Sequence, residues 1–268
     1  MLSVAGVTVE RGGRKLLDGV YVDARPGHVL AILGPNGAGK SSLIRVMSGE
    51  WRPQQGSVLI DGVPIARLSA EQLAQRRAVV SQSAFVSFPF TAKDIVKLGM
   101  SVPGFALPDD DDLAEAALAD VGLDGFGDRR YAELSGGERQ RVHIARAVCQ
   151  LKAATDRSLD QAKTLLLDEP TSNLDPAHQA LVLGRARQLA GYGWSVVVVL
   201  HDINLAAAWA DQVILMRAGR IFDKGDAAKV LTSDNLTTVY GCKIVACAPP
   251  ADGGVYVLPH HTRGALPA

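Results

Sequence analysis

The sequence predicts an α/β chain: a parallel, helix-covered sheet that carries a phosphate-binding loop, with a small antiparallel sheet ahead of it. Three observations lead there. Gly34-Pro35-Asn36-Gly37-Ala38-Gly39-Lys40-Ser41 fits G-x-x-x-x-G-K-[ST] and sits between an apolar run, Val29 to Leu33, and a helix-like stretch from Ser42 to Met47 that stops at Gly49. A second apolar run, Thr164 to Leu167, ends in Asp168-Glu169. Beyond it, strand-like and helix-like segments alternate, the pattern of parallel strands joined by helical crossovers.

In chain order, Val7 to Val9 and Leu16 to Val22 read as strands around a turn at Arg11 to Arg14, and Pro26-Gly27 leads into the phosphate-loop strand. Gly56 to Ile60 is a strand closed by the Asp61-Gly62 turn, and Ala78 to Ser81 is another, ending at Gln82. Composition then shifts. The aromatics Phe85, Phe88, Phe90 and Phe105 fall there with Met100 and the prolines Pro89, Pro103 and Pro108. Thr91 to Asp94 reads as a helix start, with Ile95, Val96 and Leu98 as its apolar face. The acidic run Asp109 to Asp112 suits a solvated helix N-terminus. Glu138 to Leu151 is a helix with apolar stripes at Val142, Ala145, Cys149 and at Ile144, Val148, Leu151. Residues 152–163 are polar and aperiodic, as in an exposed insertion. Pro176 to Ala190 reads as a helix, Ser195 to Leu200 as a strand, Leu205 to Ala210 as a short helix and Val213 to Met216 as a strand, with a turn at Ala218 to Arg220. The Pro-, Gly- and Ala-rich tail from Ala248 is expected to be loosely held.

Composition narrows the function. The 268 residues are enough for a full core. Lys+Arg and Asp+Glu both number 28, a balance that argues against nucleic acid as the main partner. No apolar run approaches the roughly 18–20 residues needed to cross a bilayer. Three cysteines, Cys149, Cys242 and Cys247, make neither a disulfide framework nor a metal site.

The chemistry lies in the motifs. Glycines let backbone N–H groups turn onto phosphate oxygens, and a helix N-terminus adds positive charge there. Lys40 is placed to reach the β- and γ-phosphates, and the Ser41 hydroxyl to ligate Mg²⁺. Asp168 is the second metal-holding group. Glu169, one residue further along, is a general base or water-orienting group. His201 follows the Val196–Leu200 strand, and such a strand delivers its C-terminal residue to the ligand crevice; Gln82 is placed by the same reasoning. Ser135-Gly136-Gly137 at a helix start is a second anion-binding element. One chain cannot easily aim both cradles at one γ-phosphate, whereas two chains packed head to tail can.

On these residues the chain resembles the ATP-binding subunits of ABC transporters over nearly its whole length. Gly34 to Ser41, with Ser42, resembles the Walker A loop; Gln82 the Q-loop; Leu134 to Glu138 the signature; Leu165 to Glu169 the Walker B strand; Ser172 to Asp175 the D-loop; and His201 the switch histidine. The resemblance implies a P-loop NTPase with a RecA-like parallel-sheet core (1–82 and 161–247), a small antiparallel β subdomain, an inserted α-helical subdomain (83–160) and a tail (248–268). It implies Glu169, His201 and Gln82 in catalysis, and Ser41, Gln82 and Asp168 at Mg²⁺. It also implies a homodimer with two ATP molecules, each between one chain's Walker A loop and the other's Ser135, Gly136, Gly137 and D-loop Asp175. Departures are Asn173 for a commoner alanine, and Arg11 where an aromatic residue usually stacks on adenine; Arg11 is expected to stack by its guanidinium plane, with Tyr21 no substitute.

Within the family the chain looks most like importers of haem, ferric siderophores and cobalamin. Phe88-Pro89-Phe90-Thr91, leading into Ile95 to Gly99, and the 152–163 insertion are similar to the haem-import branch. The implied partners are two transmembrane permease subunits and a periplasmic binding protein, with the chain peripheral on the cytoplasmic face of the inner membrane. A soluble ABC ATPase of DNA repair or translation would more usually carry a long coiled coil or two cassettes. A P-loop kinase would lack the Ser135-Gly136-Gly137 signature.

Overall fold

The computed structural model describes residues 1–81, 88–101, 111–153, 163–172 and 174–247, and the backbone of 256–259. Strands β1 (Leu2–Arg11) and β2 (Arg14–Ala24) form a hairpin whose inward residues, Leu2, Val4, Val7 and Val9 with Leu17, Val20 and Val22, are buried. β3 (Val29–Leu33) follows, then helix α1 (Lys40–Met47). β4 (Gln55–Ile60) and β5 (Val63–Pro64) are joined by Asp61 and Gly62, both at positive φ (51° and 78°), which suits the twist of a two-residue hairpin. These strands make a four-stranded antiparallel sheet in the order β2-β1-β4-β5.

After α2 (Ala70–Arg76) and β6 (Arg77–Val80) come three helices, α3 (Ala92–Leu98), α4 (Asp111–Ala119) and α5 (Gly136–Ala153). The chain then continues through β7 (Thr164–Asp168), α6 (Pro176–Gly191), β8 (Ser195–Val199), α7 (Ile203–Trp209), β9 (Gln212–Arg217) and β10 (Arg220–Asp226). It ends in α8 (Ala227–Val230), α9 (Ser233–Tyr240), β11 (Ile244–Cys247) and β12 (Tyr256–Pro259).

The larger sheet runs β10-β9-β3-β8-β7-β6, parallel except for the edge strand β10. Its central strands are buried on both faces, which is why they read as unbroken aliphatic runs. Side chains alternate between two cores. Leu30 and Ile32 meet α1 and the antiparallel sheet, while Val29, Ala31 and Leu33 meet the helices on the opposite face.

In the helical layer, Thr91 caps α3 with Asp94 in a reciprocal capping box: the Asp94 N–H donates to Thr91 Oγ1 at 3.1 Å and the Thr91 N–H to Asp94 Oδ2 at 2.8 Å. The buried face of α3 is Ala92, Ile95 and Val96; Leu98, expected there, is the last residue of the helix, off that face, and is 47% exposed. The acidic run is more than solvated: Asp111 pairs with Lys97 at 2.8 Å and Lys93 at 3.1 Å. The second half of α5 is bonded to the parallel-sheet side, with Arg146 donating to Val79 O (3.1 Å) and Gln150 to Ala74 O (2.8 Å) and Arg77 O (3.1 Å).

Two expectations need amendment at the C-terminus. Helices α8 and α9 were not expected, although Thr232 caps α9 and Gly241 closes it at φ 71°. Within the tail expected to be loose, Tyr256–Pro259 pairs antiparallel with Ile244–Cys247. Gln82, Asn173, Phe85, Phe105, Pro103, Pro108, Asp109 and most of the 152–163 run and of the tail lie outside the described residues. Among those described, no helix is long and apolar enough to cross a membrane.

The α3 cap carries a measurable share of the helical layer's stability. Thr91→Ala is expected to lower stability in urea unfolding by about 1 kcal/mol, the usual cost of a lost N-cap; an unchanged midpoint would show that Asp94 and packing hold the helix without it.

Candidate nucleotide site

The loop between β3 and α1 requires glycine at two positions. At Gly34 (φ 150°) a Cβ would lie 2.3 Å from Met216 O, and at Gly39 (φ 102°) one would lie 2.7 Å from Leu16 O. The loop is therefore pressed between the start of β2 and the β9–β10 turn, where the Gly219 N–H also donates to Ala38 O at 2.9 Å. No side chain caps α1, so its first N–H groups face the loop's concavity.

Lys40 is buried and its ammonium turns back on the loop, donating to Gly34 O (2.9 Å) and Pro35 O (3.2 Å). Burial lowers its pKa, opposed by the nearby Glu169 and Asp168 carboxylates. Ser41 Oγ donates to Asp168 Oδ1 at 3.3 Å. Burial pushes the Asp168 carboxyl up, and the Ser41 hydrogen bond opposes it. Glu169 follows β7 with a left-handed backbone (φ 54°) that turns its carboxylate out of the strand line. There it meets His201, Nε2 to Oε1 2.5 Å, and the Ser172 hydroxyl donates to its carbonyl at 2.9 Å. Parallel register explains the meeting: Asp168 is level with Val199, and Val199 with Ile32.

The resulting cleft has a volume of about 390 Å³. It is lined by Asn36 to Ser42, by Glu169, by the Ala218-Gly219 turn, and by Arg14, Lys15 and Leu16. The last two groups were not singled out from the sequence. Ala218-Gly219 reads only as a turn, and the signal for Arg14 is its place beside a double glycine. Arg11 does not line the cleft: its guanidinium lies 3.9 Å from the centre of the Trp51 ring. Ser135 and Gly136 are exposed and also lie outside it. There, Glu138 accepts from the Ser135 N–H (2.7 Å) and donates its own N–H to Ser135 Oγ (3.3 Å), which holds its carboxyl below the usual range. Asp175 caps α6, accepting from the His178 N–H at 2.9 Å and pairing with His178 Nδ1 at 2.7 Å. One chain thus gathers the loop, Asp168, Glu169 and His201, and leaves Ser135 to Gly137, Asp175 and Arg11 outside.

The cradle fits a phosphate chain: glycines where side chains would collide, an uncapped helix start and a buried ammonium. No group of three or more His, Cys, Asp or Glu able to hold a metal occurs among the described residues. A cation here would take Ser41, Asp168 and phosphate oxygens, the oxygen-rich and incomplete protein shell that suits Mg²⁺.

The ABC transporter family model matches residues 17–172. The hemin import ATP-binding protein HmuV of Rhizobium meliloti (strain 1021) is 42% identical over 259 residues, covering 97% of this chain and 98% of its own. The protein of the same name from Streptomyces coelicolor is 43% identical over 264 residues, with 98% and 91% covered. Among solved structures, an inward-facing metal-chelate type ABC transporter superposes with a TM-score of 0.79 at 29% identity, covering 97% of both chains. The dimeric ATP-binding cassette MJ0796 bound to ADP and Pi gives 0.73 at 26%, covering 85% of this chain and 99% of its own.

The raised Asp168 carboxyl favours the folded state most at low pH, and that contribution is lost as pH rises through the raised value. At neutral pH the buried charge is a cost. Asp168→Asn is therefore expected to raise the thermal midpoint of the ligand-free chain. A lower thermal midpoint for that variant would overturn this account.

Proposed function

The chain belongs to the ABC transporter family, and on that premise we propose that it is the ATP-hydrolysing subunit that powers haemin import through separate membrane subunits. The observation that carries the catalytic part is the gathering of Lys40, Ser41, Asp168 and the Glu169–His201 pair at the C-terminal ends of neighbouring parallel strands. The cargo rests on full-length likeness to hemin import ATP-binding proteins.

In this reading ATP lays its phosphates on residues 34–42, and Lys40 exchanges its two loop carbonyls for phosphate oxygens. Ser41 and Asp168, with Gln82, would hold Mg²⁺, which when bound would offset charge on the phosphates. Glu169 orients and deprotonates the attacking water, and His201 holds the γ-phosphate end. The exposed Ser135, Gly136 and Gly137, with Asp175, serve the cleft of a second copy in a head-to-tail dimer. Two permease subunits and a periplasmic binding protein complete the importer, with this chain on the cytoplasmic face of the membrane. Closure of the dimer moves the helical subdomain (83–160) against the core. A second cargo reading, a ferric siderophore or cobalamin, draws on the metal-chelate type structural relative.

Glu169→Gln is expected to cut ATP turnover by roughly 10²–10⁴-fold, the range for losing a general base, with ATP binding retained. Near-normal turnover would overturn the catalytic reading. In proteoliposomes with the membrane subunit encoded beside it, ATP-dependent haem movement that stops with Glu169→Gln is the expected result. Movement of another chelate would replace the cargo alone. ATPase activity without any transport would favour a soluble ABC ATPase.

A further inference from the structure

We infer that the nucleotide base rests on Arg14, not on residue 11, and that the site therefore distinguishes little between ATP and GTP. This rests on the nucleotide-binding reading of the cleft.

Arg11 and Arg14 are directly opposite in the β1–β2 hairpin, on one face and with like charge. Only Arg11 of the two lies on Trp51, 3.9 Å from the ring centre, and Arg45 lies on the same ring at 4.9 Å. The Trp51 segment is itself fixed: its N–H donates to Arg45 O (3.0 Å), and Gln54 accepts from the Glu10 N–H (3.0 Å) and donates to Glu10 O (3.1 Å). Arg11 is thus held in a stack of the protein's own making. Arg14 lines the cleft instead and has no ion-pair partner among the described residues. Its neighbour Lys15 is paired with Asp18 at 3.3 Å, and Leu16 offers only an apolar surface.

A guanidinium plane stacks on any aromatic face, and every base presents one. Discrimination between purines needs hydrogen-bonding groups on the base edge. Of the side chains lining the cleft, the amide of Asn36 belongs to the phosphate loop and the carboxylate of Glu169 to the end of β7, while the hairpin residues Lys15 and Leu16 beside Arg14 offer neither.

The test is calorimetric titration of the full chain carrying Glu169→Gln, with Mg²⁺, against ATP, GTP and inorganic tripolyphosphate. ATP and GTP are expected to bind within about threefold of each other. Adding Arg14→Ala should weaken both by about tenfold, the lower end of the loss for a base stack, and leave tripolyphosphate within about twofold. Adding Arg11→Ala should leave all three within about twofold. A tenfold loss with Arg11→Ala, equal loss of tripolyphosphate with Arg14→Ala, or a tenfold preference for ATP would each overturn the assignment. Tripolyphosphate bound without either nucleotide would also overturn it and leave the phosphate cradle standing. Failure to bind any of the three would overturn the nucleotide reading itself. Arg14 is exposed, so matched thermal midpoints confirm that its variant is folded.

Discussion

Everything at the site depends on the register of three parallel strands. β3 lies between β8 and β9, and β7 lies on the far side of β8, with Ile32, Val199 and Asp168 level across the ladder. Parallel strands end on the same side, so the residues just past those ends emerge together. Gly34, Glu169 and His201 are such residues, far apart in sequence and gathered only by the ladder. Slipping one strand by a single residue would swap its aliphatic side chains between two closed cores, so packing resists any register but this one.

That arrangement places charge where burial disfavours it. Lys40, Asp168 and Glu169 are all buried beside aliphatic strands. The ligand-free chain pairs them internally, Lys40 with two loop carbonyls, Asp168 with Ser41, Glu169 with His201. Each of these bonds involves an atom that a bound triphosphate and its metal would claim. The cost of binding is therefore an exchange of partners rather than the ordering of a loose loop.

The sequence made legible whatever local chemistry determines. β3, β7 and β8 are unbroken aliphatic runs, and the loop between β3 and α1 carries a spacing that few other structures need. Helix α2 was not legible, because none of its residues is buried and no apolar period marks it; its only sign is the Ser69–Gln72 capping box. Leu98 was misplaced because the small Ala92 does part of the packing expected of a larger residue. Arg11 lies on Trp51, forty positions away, rather than in the cleft, and no local pattern reports such a contact.

Helix α5 spans 18 residues, about 27 Å at the usual rise. Its two halves have different attachments. Arg139 and Arg141, near the start, bond to backbone carbonyls at Tyr131, Ala132, Val121 and Gly122, all within the helical layer. Arg146 and Gln150, near the end, bond to carbonyls of α2 and β6. The helix is thus a lever with its fulcrum at the sheet edge and Ser135 at its far tip. From Ser135 to Arg146 and Gln150 the arm is about 16–22 Å, so a tilt of about 10° at the fulcrum would sweep that tip through roughly 3–4 Å, enough to make or break a hydrogen bond that the tip forms.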